Sequence, residues 1–139
     1  MPKSPHSDTT TNRIQIHAAA QYLPRESEPH NRRFVFAYRI TMTNHGTAVV
    51  RLQSRHWIIV DSDGRREDVR GRGVMGEYPK LAPGESYSYV SFCPLATPWG
   101  TMEGSYQFEG DDGEPVEAAI GRFFLVPSAP PLPVEASPT

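Results

Sequence analysis

The feature that most restricts the fold of this chain is a hydrophobic period of two over a long run. Within Phe34–Thr43 every even position carries a large apolar or aromatic side chain, while the later odd positions are arginine or threonine. Residues two apart on a strand share a face, so this run predicts a long, half-buried β-strand. The segments Arg13–His17 and Ser86–Phe92 alternate in the same way.

Turn signals separate these segments at strand-like intervals. Asp63-Gly64 and Asp112-Gly113 each lie between two strand-like runs, and glycine supplies the positive φ that a tight type I′ hairpin turn requires. The 14 prolines and 11 glycines leave little room for a long helix. About seven strands without helices predict an all-β, antiparallel β-sandwich of immunoglobulin or fibronectin type III-like architecture. A small β-barrel is the alternative.

The two ends of the chain differ from its middle in composition. Residues 1–9 and 128–139 contain little that can be buried, so both are expected to be disordered tails around one domain at 10–127. Within the second tail, residues 129–133 read APPLP, a polyproline-like run that could serve as a ligand for another module.

Charge, cysteine content and hydropathy limit the compartment and the partners. The net charge is −2, which gives no indication of nucleic-acid binding. The single cysteine excludes an intramolecular disulfide and suits a reducing cytosol. No secretory signal is visible, and no apolar run approaches the ~20 residues that a membrane-spanning helix needs. We therefore expect a cytoplasmic protein without membrane insertion.

The sequence GRGVMG at residues 71–76 fits the pattern G-x-G-x-x-G, which can mark a pyrophosphate-binding loop. A dinucleotide fingerprint needs a helix after its glycines, and Pro79 and Pro83 exclude one. A loop without a helix can still offer backbone N–H groups to an anion. The residues of this candidate anion loop are Gly71, Gly73, Gly76, Arg72 and Lys80. The alternative is that the glycines only form a sharp bend or bulge between two strands.

No arrangement typical of catalysis or of a metal centre is visible. The five histidines do not fall at the short spacings of zinc or cobalt sites. Cys93 lies between a strand and Pro94, without a helix N-terminus to lower its pKa, so we expect a buried or half-buried, unreactive thiol. The sequence therefore predicts no catalytic residue, no metal ligand and no cofactor, and the protein is not expected to be an enzyme.

Several longer motifs carry a family resemblance. They are SRHWII at 54–59, the glycine loop through Glu77, LAPG at 81–84, and LATP at 95–98 followed by GTMEGSY at 100–106. In this order they resemble the ApaG family over about residues 10–127. One departure is the bulky Trp99 in the Thr-Pro-x-Gly turn, and another is the proline-rich C-terminal tail.

The resemblance implies a single β-sandwich of fibronectin type III-like topology and small bacterial proteins of unsettled biochemical activity. It also implies a link to cobalt resistance and magnesium efflux. Related eukaryotic domains look like protein-interaction modules, and the family supplies no catalytic residues to carry over.

These observations predict a non-enzymatic binding module that acts through a protein partner, as a monomer or weak homodimer. A sandwich exposes edge strands to which a partner can add a strand. Tyr22, Arg32 and Arg33 are natural anchor types if they are exposed. The alternative is a sensor of phosphate, pyrophosphate or nucleotides that uses the GRGVMG loop, and a hydrolase is a third hypothesis.

Overall fold

A computed structural model describes residues 5–127 of the chain. Within this range the chain forms nine β-strands and two short 3-10 turns, Pro24–Glu26 and Pro29–Asn31. No helix in the same range is long and apolar enough to cross a bilayer. The strands are β1 (His6–Thr11), β2 (Ile14–Tyr22), β3 (Phe34–Asn44), β4 (Val50–Asp61), β5 (Arg66–Arg72), β6 (Lys80–Leu81), β7 (Ser86–Leu95), β8 (Gly100–Gly110) and β9 (Pro115–Leu125).

The strands form two separate antiparallel sheets with one hydrophobic core between them. The first sheet has the order β1-β2-β3-β7, and the second has the order β5-β4-β8-β9 with the two-residue β6 beside β4. The predicted all-β sandwich is therefore confirmed, and the sheets do not close into one barrel. The described residues hold nine strands where about seven were expected, and the finer fibronectin type III topology stays a prediction.

The expectation that residues 1–9 are a disordered tail is wrong for residues 6–9. These residues belong to β1, which pairs along its length with β2, as in Thr9 opposite Ile16. The strand reads HSDTTT and carries no apolar alternation, so its ladder of backbone hydrogen bonds holds it in place. The second predicted tail, including the proline-rich stretch at 129–133, lies outside the described residues.

Strand β3 lies inside the first sheet, between β2 and β7. Its even residues Phe36, Ile40 and Met42 are fully buried, which confirms the strand that the period of two predicts. Tyr106 and Phe108 of β8 are buried from the opposite sheet. Burial of each large apolar side chain stabilises the fold by about 1.5–3 kcal/mol relative to leaving it exposed.

The two predicted hairpins are present, but their turns are of another type. Asp63-Gly64 connects β4 to β5, and Asp112-Gly113 connects β8 to β9. In each turn the glycine has positive φ, at 83° and 80°, while the aspartate before it does not. A type I′ turn needs positive φ at both central residues. These loops are instead longer turns that end on a left-handed glycine.

The two sides of the sandwich, where the edge strands of the sheets face each other, are built differently. On one side, Ser7 Oγ of β1 donates a hydrogen bond to Gly121 O of β9 at 2.7 Å, and Asn12 Nδ2 donates to Glu117 O at 2.8 Å. These bonds close that side, which we call the β1–β9 seam. On the other side no hydrogen bond joins β5 to β7 within residues 5–127, and the interior of the sandwich is accessible there.

Candidate binding cleft

A cleft of about 310 Å³ opens between β5 and β7. Strand β4 contributes its floor, β5 and the glycine loop form one wall, and β7 forms the other. We call it the β5–β7 cleft and define it by Arg55, Trp57, Val69, Met75, Ser91 and Phe92. It combines an arginine with several aromatic and aliphatic side chains, which is the composition of many ligand sites.

Arg55 is the cationic residue of the cleft, and the position of its side chain explains why the first residue of the loop is a glycine. Its Nη1 donates hydrogen bonds to Arg72 O at 3.1 Å and to Gly73 O at 2.7 Å. Gly71 lies directly opposite Arg55 on the neighbouring strand. A Cβ atom at position 71 would lie only 2.7 Å from the guanidinium carbon. Gly71 therefore leaves the space through which the Arg55 side chain crosses β5.

The other two glycines of the loop are required by backbone geometry. Gly73 has a φ of 62°, and a Cβ there would lie 2.5 Å from the carbonyl oxygen of Glu77. Met75 and Gly76 both have positive φ, at 50° and 78°, as the central residues of a type I′ turn do. Val74 and Glu77 exchange two backbone hydrogen bonds across this turn, at 2.9 and 2.7 Å. The glycines thus form the sharp bend that the alternative interpretation predicts.

The anion-binding interpretation of the loop stays a prediction, and fewer backbone N–H groups are available to an anion than the sequence suggests. The N–H groups of Gly73, Val74 and Glu77 already donate to backbone carbonyls. Arg72, the last residue of β5, is exposed. Lys80 is exposed on β6, in register with Arg51 farther along β4.

The floor of the cleft is aromatic. The Trp57 ring makes edge contacts with Tyr38, Tyr106 and Phe123, with ring centroids 5.3, 6.3 and 6.0 Å apart. The hydroxyl groups of Tyr89 and Tyr106 share a hydrogen bond, and burial raises the pKa of both phenols. The indole Nε1 of Trp57 is buried and has no hydrogen-bond partner among the described residues.

Two large apolar side chains are exposed at the mouth of the cleft. Met75, at the tip of the glycine loop, is 62% exposed, and Phe92, on β7, is 60% exposed. Both line the cleft. Exposed apolar side chains that lie together beside a cavity often mark a site of interaction, whereas single exposed ones scattered over the surface do not.

Cys93 lies in the β7 wall of the cleft and is 4% exposed. Its predicted burial is confirmed. Burial raises the pKa of the thiol to about 12, so it carries little thiolate at neutral pH, and the thiolate is the reactive form of cysteine.

A hydrogen-bonded pair that the sequence analysis did not find lies on β4 and β5, outside the cleft. His56 Nε2 lies 2.7 Å from Asp68 Oδ2, and Arg66 Nε donates to Asp68 Oδ1 at 2.7 Å. The hydrogen bonds from Arg66 first, and from His56 second, hold the pKa of Asp68 well below its usual range. Across residues 5–127 no three His, Cys, Asp or Glu side chains are grouped to hold a metal ion.

The predicted anchor residues Tyr22, Arg32 and Arg33, which flank the two 3-10 turns, have different surroundings. Tyr22 is half-buried, with its ring centroid 5.3 Å from that of Phe36. Arg32 and Arg33 are exposed, and Arg32 lies 4.0 Å from Asp63. The two arginines are accessible to a partner, whereas Tyr22 serves partly as packing.

Trp99, which departs from the expected turn pattern, follows β7 and is 44% exposed. Its ring centroid lies 6.4 Å from that of Phe124, which is also exposed. The bulky residue is therefore accommodated by an aromatic neighbour on β9.

Comparison with known proteins places the chain in a family. The family profile described as ApaG domain matches residues 24–110. The chain is 48% identical to Protein ApaG of Aromatoleum aromaticum over 119 residues, which is 86% of this chain and 94% of that protein. It is 50% identical to Protein ApaG of Methylobacterium sp. over 115 residues, or 83% and 88% of the two chains.

A solved structure agrees with these sequence relationships. The crystal structure of a protein named ApaA from Bordetella pertussis superimposes with a TM-score of 0.80 at 41% identity, and the match covers 91% of this chain and 98% of that one. Sequence and fold therefore agree over nearly the whole described range. The chain belongs to the ApaG family.

Proposed function

We propose that this protein is a non-enzymatic binding module whose protein partner adds a strand to β7 and anchors an apolar side chain at the β5–β7 cleft. The observation that carries the proposal is the free edge of β7, which runs beside the exposed Met75 and Phe92. The partner itself is identified only by its chemistry, as an extended segment with at least one large apolar side chain.

The backbone of β7 is suited to strand addition. Among the strands of residues 5–127, β7 pairs with β3 alone. Asn44 N donates to Glu85 O just before the strand begins, and hydrogen-bonded pairs alternate along an antiparallel ladder. The backbone N–H and C=O groups of Ser88, Val90 and Phe92 therefore point to the free edge, where a partner strand can pair with them.

The side chains beside this edge supply the anchor. A strand paired with β7 would run along the mouth of the cleft, between Phe92 and Met75. Aromatic and methionine side chains are enriched in protein interfaces, and a few buried anchors supply most of the binding energy. Methionine adapts to differently shaped apolar partners.

The chemistry of the cleft supports binding over catalysis. Its thiol, Cys93, is buried with a raised pKa, and the hydroxyl of Tyr89 is engaged by Tyr106. The link to cobalt and magnesium that the family resemblance implies would then operate through the partner.

The test is quantitative affinity capture from a bacterial lysate with the wild-type chain and surface variants. Val90→Pro removes one outward N–H without removing a bond to β3, and Phe92→Ala removes the aromatic anchor. Phe124→Ala is the matched control, because Phe124 is an exposed phenylalanine on β9. We expect a partner that wild type and Phe124→Ala capture equally and that both β7 variants lose by about tenfold or more.

The captured partner is then purified and titrated calorimetrically against the same four proteins. Saturable binding with the same order of affinities supports the proposal. A partner that binds Val90→Pro and Phe92→Ala as tightly as wild type, or the absence of any saturable partner, would overturn it.

The alternative function, a phosphate, pyrophosphate or nucleotide sensor, is favoured by one detail of the loop. The N–H groups of Met75 and Gly76 make no hydrogen bond to other described residues. Two adjacent free amides can hold one anion oxygen. An amide NMR titration with pyrophosphate tests this function: saturable shifts at Met75 and Gly76 support it, and unchanged spectra refute it.

A further inference from the structure

A buried hydrogen-bond donor lies in the floor of the β5–β7 cleft. Trp57 is 2% exposed, lines the cleft, and its Nε1 has no partner among the described residues. Most buried polar groups in proteins have a hydrogen-bond partner, and one without a partner costs about 1–3 kcal/mol. The indole ring of Trp57 therefore lies against the cleft, with its N–H group buried beneath the surface and without an acceptor among the described residues.

A second set of unused donors lies two residues away on the same face of β4. Arg55 directs Nη1 to two backbone carbonyls, while its Nε and Nη2 make no hydrogen bond to other described residues. No carboxylate within residues 5–127 forms an ion pair with it. Anchoring through Nη1 fixes the guanidinium plane, and a fixed guanidinium binds carboxylates in a defined orientation.

The remaining walls of the cleft limit which groups a carboxylate bound to Arg55 can carry. Val69 and Met102 are apolar walls of the cleft, and Tyr38 adds an aromatic ring. Glu67 lies at the rim and disfavours a second negative charge on the ligand. A volume of about 310 Å³ is at the lower end of the range typical of small-molecule sites.

We infer that the β5–β7 cleft binds a small organic monocarboxylate with a flat, apolar body. The carboxylate lies on Nε and Nη2 of Arg55, and the apolar body occupies the space between Val69 and Met102, against the ring of Trp57. This inference goes beyond the proposed function and does not rest on it, because it uses neither the free edge of β7 nor a protein partner.

The indole N–H signals in a two-dimensional NMR spectrum report on the site directly. The chain has two tryptophans, and the variant Trp99→Phe assigns their two signals. Phenylacetate, titrated to about 20 mM so that affinities near 1 mM are resolved, is the probe. We expect the Trp57 signal to shift saturably while the Trp99 signal stays in place.

Three comparisons separate carboxylate recognition from nonspecific binding. Phenylacetamide, which has the same shape without the charge, should bind at least tenfold more weakly than phenylacetate. Arg55→Gln should weaken phenylacetate binding by at least tenfold, whereas Arg70→Gln, which removes an exposed charge outside the cleft, should leave it unchanged. Inorganic pyrophosphate should not shift the Trp57 signal.

The inference is overturned if phenylacetate does not shift the Trp57 signal saturably, or if Arg55→Gln and Arg70→Gln bind it equally well. If Arg55→Gln does not fold, Val69→Phe takes its place, because it fills the cleft from β5 and leaves the contacts of Arg55 intact. Binding that survives Val69→Phe also overturns the inference. Since Val90→Pro changes the edge of β7 at a residue that does not line the cleft, failure of the carboxylate site and failure of the partner site are distinguishable.

Discussion

Replacement of Gly71 by alanine tests whether position 71 must be a glycine because any side chain there would clash with Arg55. A methyl group at position 71 would lie 2.7 Å from the guanidinium, well inside the contact distance of about 3.5–4.0 Å between carbon atoms. The arginine side chain must then move, and its hydrogen bonds to Arg72 O and Gly73 O are lost.

The expected magnitude follows from those two bonds. A hydrogen bond that involves a charged group contributes about 1.5–3 kcal/mol when buried. Arg55 is only half-buried, so the displaced guanidinium regains part of this from water. We expect Gly71→Ala to lower the free energy of unfolding by about 1–3 kcal/mol, although alanine is otherwise favoured over glycine in a strand.

A double-mutant cycle isolates the cause. Without the arginine the methyl group meets no guanidinium, so Gly71→Ala should cost less than about 0.5 kcal/mol in an Arg55→Ala background, or stabilise it. The measurement is urea-induced unfolding followed by tryptophan fluorescence, with the slope of the transition checked to be unchanged.

Equal destabilisation by Gly71→Ala in both backgrounds would refute the reasoning, as would full stability of the single variant. If Gly71 serves an anion instead, the variant folds with wild-type stability in the absence of anion and loses only its response to pyrophosphate. The cycle therefore also bears on the anion interpretation of the loop.

Further predictions concern the loop, the thiol and the core. Gly73→Ala should destabilise by about 3 kcal/mol or more, because it combines left-handed strain with a backbone clash, whereas Gly76→Ala, which meets open space, should cost only the strain of about 1–2 kcal/mol; equal urea midpoints would contradict this. Native Cys93 should react with a thiol reagent far more slowly than free cysteine near pH ~8, and a similar rate would show that it is accessible. The pKa of the Cys93 thiol is about 12 in the folded protein and about 8.5 in the unfolded chain. The stability gained by burying the protonated thiol is therefore complete below pH ~8.5 and is lost as the pH rises toward the folded pKa. The variant Cys93→Ala should not show this loss. Phe108→Ala should destabilise by about 3–5 kcal/mol in the same urea assay, since Phe108 is 1% exposed, and a cost under about 1 kcal/mol would contradict its place in the core.

The parts of the fold that could be predicted are those with one face in the core. Strand β3 is evident from its sequence because its alternate residues are buried, and Ser86–Tyr89 within β7 follows the same rule. The alternation predicted to continue through Phe92 does not hold, because Phe92 is exposed and Cys93 beside it is buried. Strand β1 could not be found this way, because its exposed and half-buried side chains are polar. It is held by backbone pairing with β2 and by the seam with β9, both of which are tertiary effects.

The cleft could be predicted only in part. The glycine pattern predicts a bend, and the bend is present. The function of Gly71 depends on its register with Arg55, and a register irregularity in β4 between Leu52 and Ser54 decides which residues face inward. Leu52 is buried at an even position, whereas Trp57 is buried at an odd one. Such a β-bulge moves later side chains to the other face of the strand, and the hydrophobic pattern of β4 does not predict where it occurs.

The β1–β9 seam joins the first and the last strand of the described chain. During synthesis β1 emerges from the ribosome before β9, and more than a hundred residues are made between the two strands. The sandwich cannot close until its final strand has cleared the exit tunnel. An edge strand that waits so long is open to pairing with other chains. The threonine-rich, polar β1 reduces that risk, because its side chains give a neighbouring nascent chain little apolar surface to bind.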